Sequence, residues 1–368
     1  MTDGASTDRS WLPLLGVVLA TVGALWLLAG LAVLPGGRGW AYDYTAYADA
    51  AQRLEQTGSL YQAETLAGPY RPGPSGLYMY APPFGVAVAA LGGLDAETAA
   101  VVWYLLHGLL LAAACALLPV PAWIRLAAFG IAALSLAVTK DFSLGNVSSM
   151  LLLPLSAAWR WLDRPAGSVA QAIAISVRPM LGVLLIWQLI RRQWRAVAWT
   201  VGAGIVLVLL TLPFVGIHGY GDYLSVLRNL EGATGVVENH DLSSTLLRLG
   251  LSESVATLSL LVGYALAIAA IGLSLRRDRE LGFVVTASAS LLLSPLMWDH
   301  YLAMLLLPAA FLAARGHRWG LLLPLASWLP SELYPFVALA AVWLPFVARG
   351  PIEPQAAPAP LRTSAASV

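Results

Sequence analysis

The chain is predicted to fold as an all-α, polytopic membrane protein, and three observations carry that reading. Of its 368 residues, 59% are hydrophobic. Only 11% are charged, against about a quarter in soluble domains. Apolar runs approaching the roughly 20 residues that a membrane-crossing helix needs recur along the whole length. A β-barrel is excluded by the same runs, because barrel strands alternate apolar and polar residues. In "IVLVLLTLPF" (205–214) Thr211 is the only polar residue.

Taken in order, spans are expected near 12–34, 79–94, 97–118, 122–139, 147–162, 166–190, 196–214, 254–275, 282–297, 300–314, 319–333 and 336–348. Leu12 to Leu34 is too long for a signal-peptide core, and the following "PGGRGW" has no small-x-small cleavage site, so it reads as the first transmembrane helix. Pro82-Pro83 suits a helix start, where the first turn has no internal donors to lose. Several spans are short, which suggests broken or re-entrant helices. Residues 1–350 are expected to form one transmembrane domain, and the Pro/Ala-rich tail 351–368 to be disordered. Cys115, the single cysteine, lies in an apolar run and reads as a packing residue. A net charge of +1 gives no nucleic-acid signal.

Basic residues favour cytoplasmic loops. "RRQWR" (191–195), "RRDR" (276–279) and "RGHR" (315–318) are separated by even numbers of crossings, so all three are expected inside. Two long segments, 35–78 and 215–253, then face outward, and chemistry is expected there. One conflict remains. If 122–139, 147–162 and 166–190 each cross once, "RWLDR" (160–164) falls outside and Lys140 inside; re-entrant segments around Lys140 and Arg178 change both placements.

Polar residues in such a chain need an account. Asp49 and Arg53 stand i,i+4 and read as a solvated helix pair. Asp43 has no such partner; it is either a charge favoured at a helix N-terminus or a cavity carboxylate, with Tyr47 one turn on and on the same face. Lys140 and Asp141 are adjacent, and a mutual pair is one reading. Arg178 lies between apolar stretches and should face an anion, a cavity or a membrane acid, with Pro179 kinking the chain. Asp299 and His300 are neighbours at an interface. On a helix they diverge by about 100°, so one is expected to face a cavity and the other solvent. His107 reads as a satisfied bundle residue. In the second outer segment, 218–250 reads as an interfacial helix followed by a polar turn carrying Glu238, Asn239, His240 and Asp241. A solvated turn accounts for these as well as sugar contacts do, and metal-ligand spacing is weak.

The ordered set of short motifs resembles the GT-C glycosyltransferases that use polyprenyl-phosphate sugars, and within them the DUF2029 group, glycosyltransferase family 87. The motifs are Asp43-x-x-x-Tyr47 after the first span, "LYQ", "YMYAPPF" entering the second, "SLGN" (143–146), Arg178-Pro179, and "SPLMWDHYL" (294–302). The resemblance implies a GT-C-type bundle of about 12 transmembrane or re-entrant helices with outward-facing interfacial helices. It implies a plasma-membrane, inverting hexosyltransferase of the cell envelope. Such an enzyme moves a sugar, mannose by family analogy, from a polyprenyl-phosphate donor to a glycolipid or glycan acceptor on the outer face. Asp43 matches the family's catalytic base. Arg178, His300 and Lys140 are the candidates for the donor phosphate. Tyr47, Tyr80 and Trp298 are candidates to stack on sugars, with Asn146, Asp299 and His240 as further substrate contacts. No metal, no cofactor and no nucleic acid is expected; membrane lipid is. The competing reading is a transporter or flippase of lipid or polyprenol-linked substrates. It accounts for Arg178, Pro179 and the aromatics but not for the large first outer segment.

Overall fold

A computed structural model describes residues 10–68, 76–230 and 238–348; the expected disordered tail lies outside them. Among the described residues the chain is helical, without a strand. The helices are α1 Leu12–Val33, α2 Tyr42–Thr57, α3 Ala63–Ala67, α4 Pro82–Ala89, α5 Ala96–Leu117, α6 Ala122–Leu134, α7 Leu136–Leu144 and α8 Leu152–Arg160. There follow α9 Pro165–Val177, α10 Val183–Ile190, α11 Trp194–Asn229, α12 Leu242–Arg248, α13 Glu253–Ser274, α14 Arg279–Leu292, α15 Leu306–Ala314 and α16 Tyr334–Trp343, with short 3-10 turns between some of them.

Helices α1, α5, α11 and α13 are each long and apolar enough to cross a membrane, and α6 with α7 makes a fifth if that pair, bent by 64°, counts as one crossing. The remaining apolar segments of the expected twelve occur close to their expected places but are shorter or broken. The bend falls at Ser135, whose hydroxyl accepts from Val138 N–H (3.3 Å) and so restarts the helix in a new direction. In α11, Gly216 (φ 63°, ψ 178°) divides a spanning leg from a second helix carrying Tyr220 and Tyr223, in accord with the interfacial helix expected from 218.

Contacts at the helix ends resolve the topological conflict. Arg191 donates to the carbonyls of Leu275 and Arg277 (both 3.3 Å), and Arg315 pairs with Asp278 (3.0 Å). Asp163 pairs with Arg279, so "RWLDR" joins the other basic clusters on one side of the bundle. Lys140 pairs with Asp299 at the other. The expected single span 166–190 is therefore two legs. Both of its ends lie beside 275–279, and Gln188 on the return leg donates to Gln171 on the outward one (3.0 Å). Pro179 denies its predecessor the helical conformation. Arg178 is accordingly extended (φ −129°, ψ 101°) and occupies the apex of a re-entrant helical hairpin.

Helix α1 lies against α6 along a seam of glycines that the sequence reading passed over. Gly16 and Gly23 are seven residues apart on one face. A Cβ on Gly16 would sit 2.7 Å from the Trp123 carbonyl oxygen, and one on Gly23 2.7 Å from Gly130 Cα. A Cβ on Gly130 would fall on the Leu19 carbonyl. Such close backbone approach is the means by which helices associate in lipid, where apolar burial drives little. The Tyr104 hydroxyl adds a bond to the Leu27 carbonyl (2.8 Å). Most of the rest of α1 is exposed and faces lipid. Gly130→Val is expected to separate α1 from α6 and to lower the yield of monodisperse protein in fluorescence-detected size exclusion. Gly108→Ala, where nothing lies within 4 Å of the added carbon, should leave it unchanged.

Candidate functional site

At the end of the bundle away from the basic clusters lies a cavity of about 340 Å³. Of the ten residues singled out from the sequence, Asp43, Tyr47, Tyr80 and Asn146 line one part of it, and Trp298, Asp299 and His300 another. Arg178, Lys140 and His240 do not reach its wall; each is bonded to a residue that does. Tyr42, Glu238 and Tyr301 also line it. Tyr42 and Tyr301 carried a signal, each being an aromatic neighbour of an identified residue, and Glu238 belongs to the polar turn recognised in the sequence.

Asp43 is in the first turn of α2, where the helix dipole favours a carboxylate. The residue before the helix, Ala41, has a left-handed backbone (φ 55°, ψ 25°), unusual for a residue with a side chain. Its N–H is bonded to the Ser143 carbonyl (2.8 Å), which ties the start of α2 to the end of α7. There α7 stops at Gly145 in the left-handed conformation (φ 70°), the usual helix terminator. A Cβ at Gly145 would lie 2.7 Å from Tyr44 Cβ, so glycine is required on both counts. The turn that follows is folded around Asp141. Its buried carboxylate accepts Ser148 N–H (3.0 Å), Ser149 N–H (2.8 Å) and the Ser149 hydroxyl (2.5 Å). The Lys140–Asp141 pair is thus corrected: neighbours on a helix point apart, Asp141 caps the turn, and Lys140 reaches Asp299.

This turn presents Asn146. Its Nδ2 donates to Asp43 Oδ2 (2.8 Å), and its Oδ1 accepts from Arg178 Nη2 (2.8 Å) and Val147 N–H (2.7 Å). Partner chemistry fixes the amide's orientation, because a flipped one would set NH2 against the guanidinium. Among the described residues Arg178 has no acid partner. Nη2 also donates to Ser148 Oγ (2.8 Å), and the guanidinium lies 3.6 Å from the Tyr301 ring centre. Among the described residues its Nε and Nη1 are buried without a partner, as is His300 Nε2. Buried His107, on α5, supports the assembly from below, one ring nitrogen on the Trp103 carbonyl (2.9 Å) and the other on the Asn146 carbonyl.

The second wall is held by the turn after α11. Expected as one possibility to be solvated, Asn239, His240 and Asp241 are instead buried. Asn239 Oδ1 accepts Met297 N–H (2.9 Å), and His240 N–H donates to the Met297 carbonyl (2.8 Å). Asp241 caps α12 through Ser244 N–H (2.7 Å). Asp299 lies between His240 Nε2 (2.6 Å) and Lys140. Asp299 and His300 both face the cavity, rather than diverging, because they begin a 3-10 turn after the extended Trp298. On the opposite wall Tyr47 is packed edge-on against Tyr80 and Phe84, and its hydroxyl donates to that of Tyr80 (3.0 Å).

An all-helical bundle that sets a half-buried carboxylate among aromatic walls, with a buried guanidinium behind them, has the parts that a group-transfer site at a membrane needs. The profile of glycosyltransferase family 87 matches residues 78–297, more than half of the chain, and the chain belongs to that family. The match includes Tyr80, Lys140, Asn146, Arg178 and His240; Asp43, Asp299 and His300 lie outside it. No curated protein and no solved structure matches the chain.

Burial raises the Asp43 pKa to about 6; the Asn146 bond opposes this, Asp141 adds to it and Arg178 again opposes it. The folded value therefore lies above the unfolded one, and protonation favours the folded state. That stabilisation is fully present below about pH 4 and lost as the pH rises through about 6, a difference on the order of 2–3 kcal/mol. Asp43→Asn is accordingly expected to have a higher thermal midpoint than the parent at pH 8, with the gap closing by pH 4. A gap independent of pH would show that the carboxyl is not buried as described.

Proposed function

We propose that this family 87 protein is an inverting transferase that moves a hexose, mannose first among candidates, from a polyprenyl phosphate to a hydroxyl of a glycolipid or glycan. Its site faces the outside of the plasma membrane within a GT-C-type bundle. The observation that carries this reading is the bridge Asp43–Asn146–Arg178, in which one amide joins a carboxylate that lines the cavity to a guanidinium behind its wall.

In this reading the Asp43 carboxylate takes the proton of the acceptor hydroxyl as its oxygen attacks the anomeric carbon. Positive charge developing on the sugar ring resembles that of glycoside hydrolysis. The bond to the phosphate oxygen breaks with its electron pair, and the lipid phosphate departs as an anion that needs no general acid. His300 is the nearest candidate to receive it, since its Nε2 has no partner and it lines the cavity. Arg178 acts from behind the wall, through the Asn146 dipole and its own field. Lys140 is engaged by Asp299 and reaches the phosphate only if that pair opens. Tyr80 and Trp298 are the aromatic candidates for sugar contact, Tyr47, 1% exposed, backs Tyr80 instead, and Asp299 meets the cavity with His240 bonded behind it. No step calls on a metal, and among the described residues no three His, Cys, Asp or Glu side chains are grouped to hold one.

The test is incubation of the purified protein with radiolabelled polyprenyl-phosphate mannose and candidate glycolipid acceptors. Asp43→Asn is expected to lose about 10²–10⁴-fold in turnover while still binding donor. For the parent, kcat/KM should fall about tenfold per pH unit below about 6, and Asn146→Ala should move that limb to higher pH. Donor translocation without transfer, unaffected by Asp43→Asn, would favour the transporter. Activity should persist in excess chelator; a loss restored by magnesium or manganese would overturn the metal-free scheme.

A further inference from the structure

At the opposite end of the bundle, α9, α11 and α14 all start at a second cavity, of about 900 Å³. It is lined by Arg164, Arg192, Arg195 and Arg279 with a single acid, Asp163. Asp163 is taken by Arg279. The other three guanidinium groups have neither an ion pair nor a side-chain hydrogen bond among the described residues. Gln193 Nε2, on the same wall, is buried without a partner. Arg192 has a left-handed backbone (φ 55°) at the end of α10, a position suited to glycine. Strain retained in a residue whose side chain has no partner within the protein points to a partner outside it.

The surroundings say what kind. From Trp194 to Gly216 the spanning leg of α11 covers about 33 Å, so this cavity and the candidate active site lie at opposite membrane surfaces. Trp194 and Trp199, 62% and 51% exposed, flank it at the level where tryptophans meet lipid headgroups. Below Trp194, at steps of seven, four and three residues, Val201, Ile205 and Val208 form an exposed apolar stripe running away from the mouth. Guanidinium groups above an apolar stripe suit a phosphate joined to acyl chains better than a free anion.

We infer that this arginine-lined cavity binds the phosphate headgroup of an anionic glycerophospholipid from the leaflet opposite the candidate active site, with the acyl chains along the exposed stripe of α11. Nothing in this depends on which sugar is transferred, or on whether one is.

Native mass spectrometry of the detergent-purified full chain, offered equal phosphatidylglycerol and phosphatidylcholine of matched chains, tests it. The parent is expected to retain phosphatidylglycerol at least about tenfold over phosphatidylcholine. The triple variant Arg164→Gln, Arg192→Gln, Arg195→Gln should lose that preference, whereas Arg276→Gln with Arg277→Gln, basic residues of the same surface outside the cavity, should keep it. Arg192→Gly should raise the lipid-free thermal midpoint by relieving the left-handed strain while weakening the preference, a pair of opposite signs that general loss of folding does not produce. Equal retention of the two lipids by the parent, or equal losses in the two sets of glutamine variants, overturns the proposal. Full displacement of phosphatidylglycerol by millimolar inorganic phosphate assigns the cavity to a free anion and overturns the lipid reading as well.

Discussion

One side-chain amide holds the candidate site together. Asn146 donates to the carboxylate of Asp43 and accepts from the guanidinium of Arg178, so the carboxylate and the buried cation are placed by the same three atoms. Neither charged group can easily be where it is without it. A buried arginine lacking acceptors costs roughly 3 kcal/mol or more in a membrane, and Asn146 and Ser148 supply the acceptors. A carboxylate placed directly against the arginine would be held as a closed ion pair, with its proton affinity suppressed. The interposed amide leaves Asp43 with a pKa of about 6, basic enough to take a proton. Much of the surrounding architecture serves this residue: Gly145 turns the chain toward Asp43, Asp141 folds the turn, and His107 supports its carbonyl.

Around that junction the bundle is asymmetric. Helices α1, α5, α11 and α13 are long and apolar enough to cross a membrane and leave much of their surface exposed, while the remaining apolar segments are shorter or broken. Irregular backbone at depth is tolerated where it is buried in protein or lines a polar cavity, and the turns at Ser135, Gly145 and Arg178 meet that condition. The two cavities at opposite ends are chemically distinct. One is aromatic with its charges bridged, and the other holds four arginines of which, among the described residues, only Arg279 is paired.

Much of this was legible from residue order. The helical class, the places of the apolar segments, the helix start at Pro82-Pro83 and the grouping of basic clusters all follow from hydropathy, proline and arginine. Asp43 and Tyr47, one turn apart, line one cavity as their spacing suggests. What escaped is what depends on distance through space. Hydropathy does not separate a kinked span from a hairpin, so for 166–190 a single crossing and a re-entrant segment both stood open although Pro179 marked the reversal. Adjacency suggested Lys140 with Asp141, whereas the partner is 159 residues away. The stretch 239–241 is polar by composition, and its docking on Pro295 and Met297 buries it. The seven-residue recurrence of Gly16 and Gly23 was present in the sequence, but its meaning came from Gly130 across the seam.

The re-entrant hairpin bears on how such a protein is made. Neither of its legs is long enough to be handed to the bilayer alone, and its tip carries a permanent cation. Ribosomal synthesis runs from the N-terminus, so the 145–149 segment has already been made when Arg178 emerges. The hairpin can therefore be inserted as a pair into a partly assembled chain that offers Asn146 and Ser148 to receive it, and the order of segments along the gene doubles as an order of assembly.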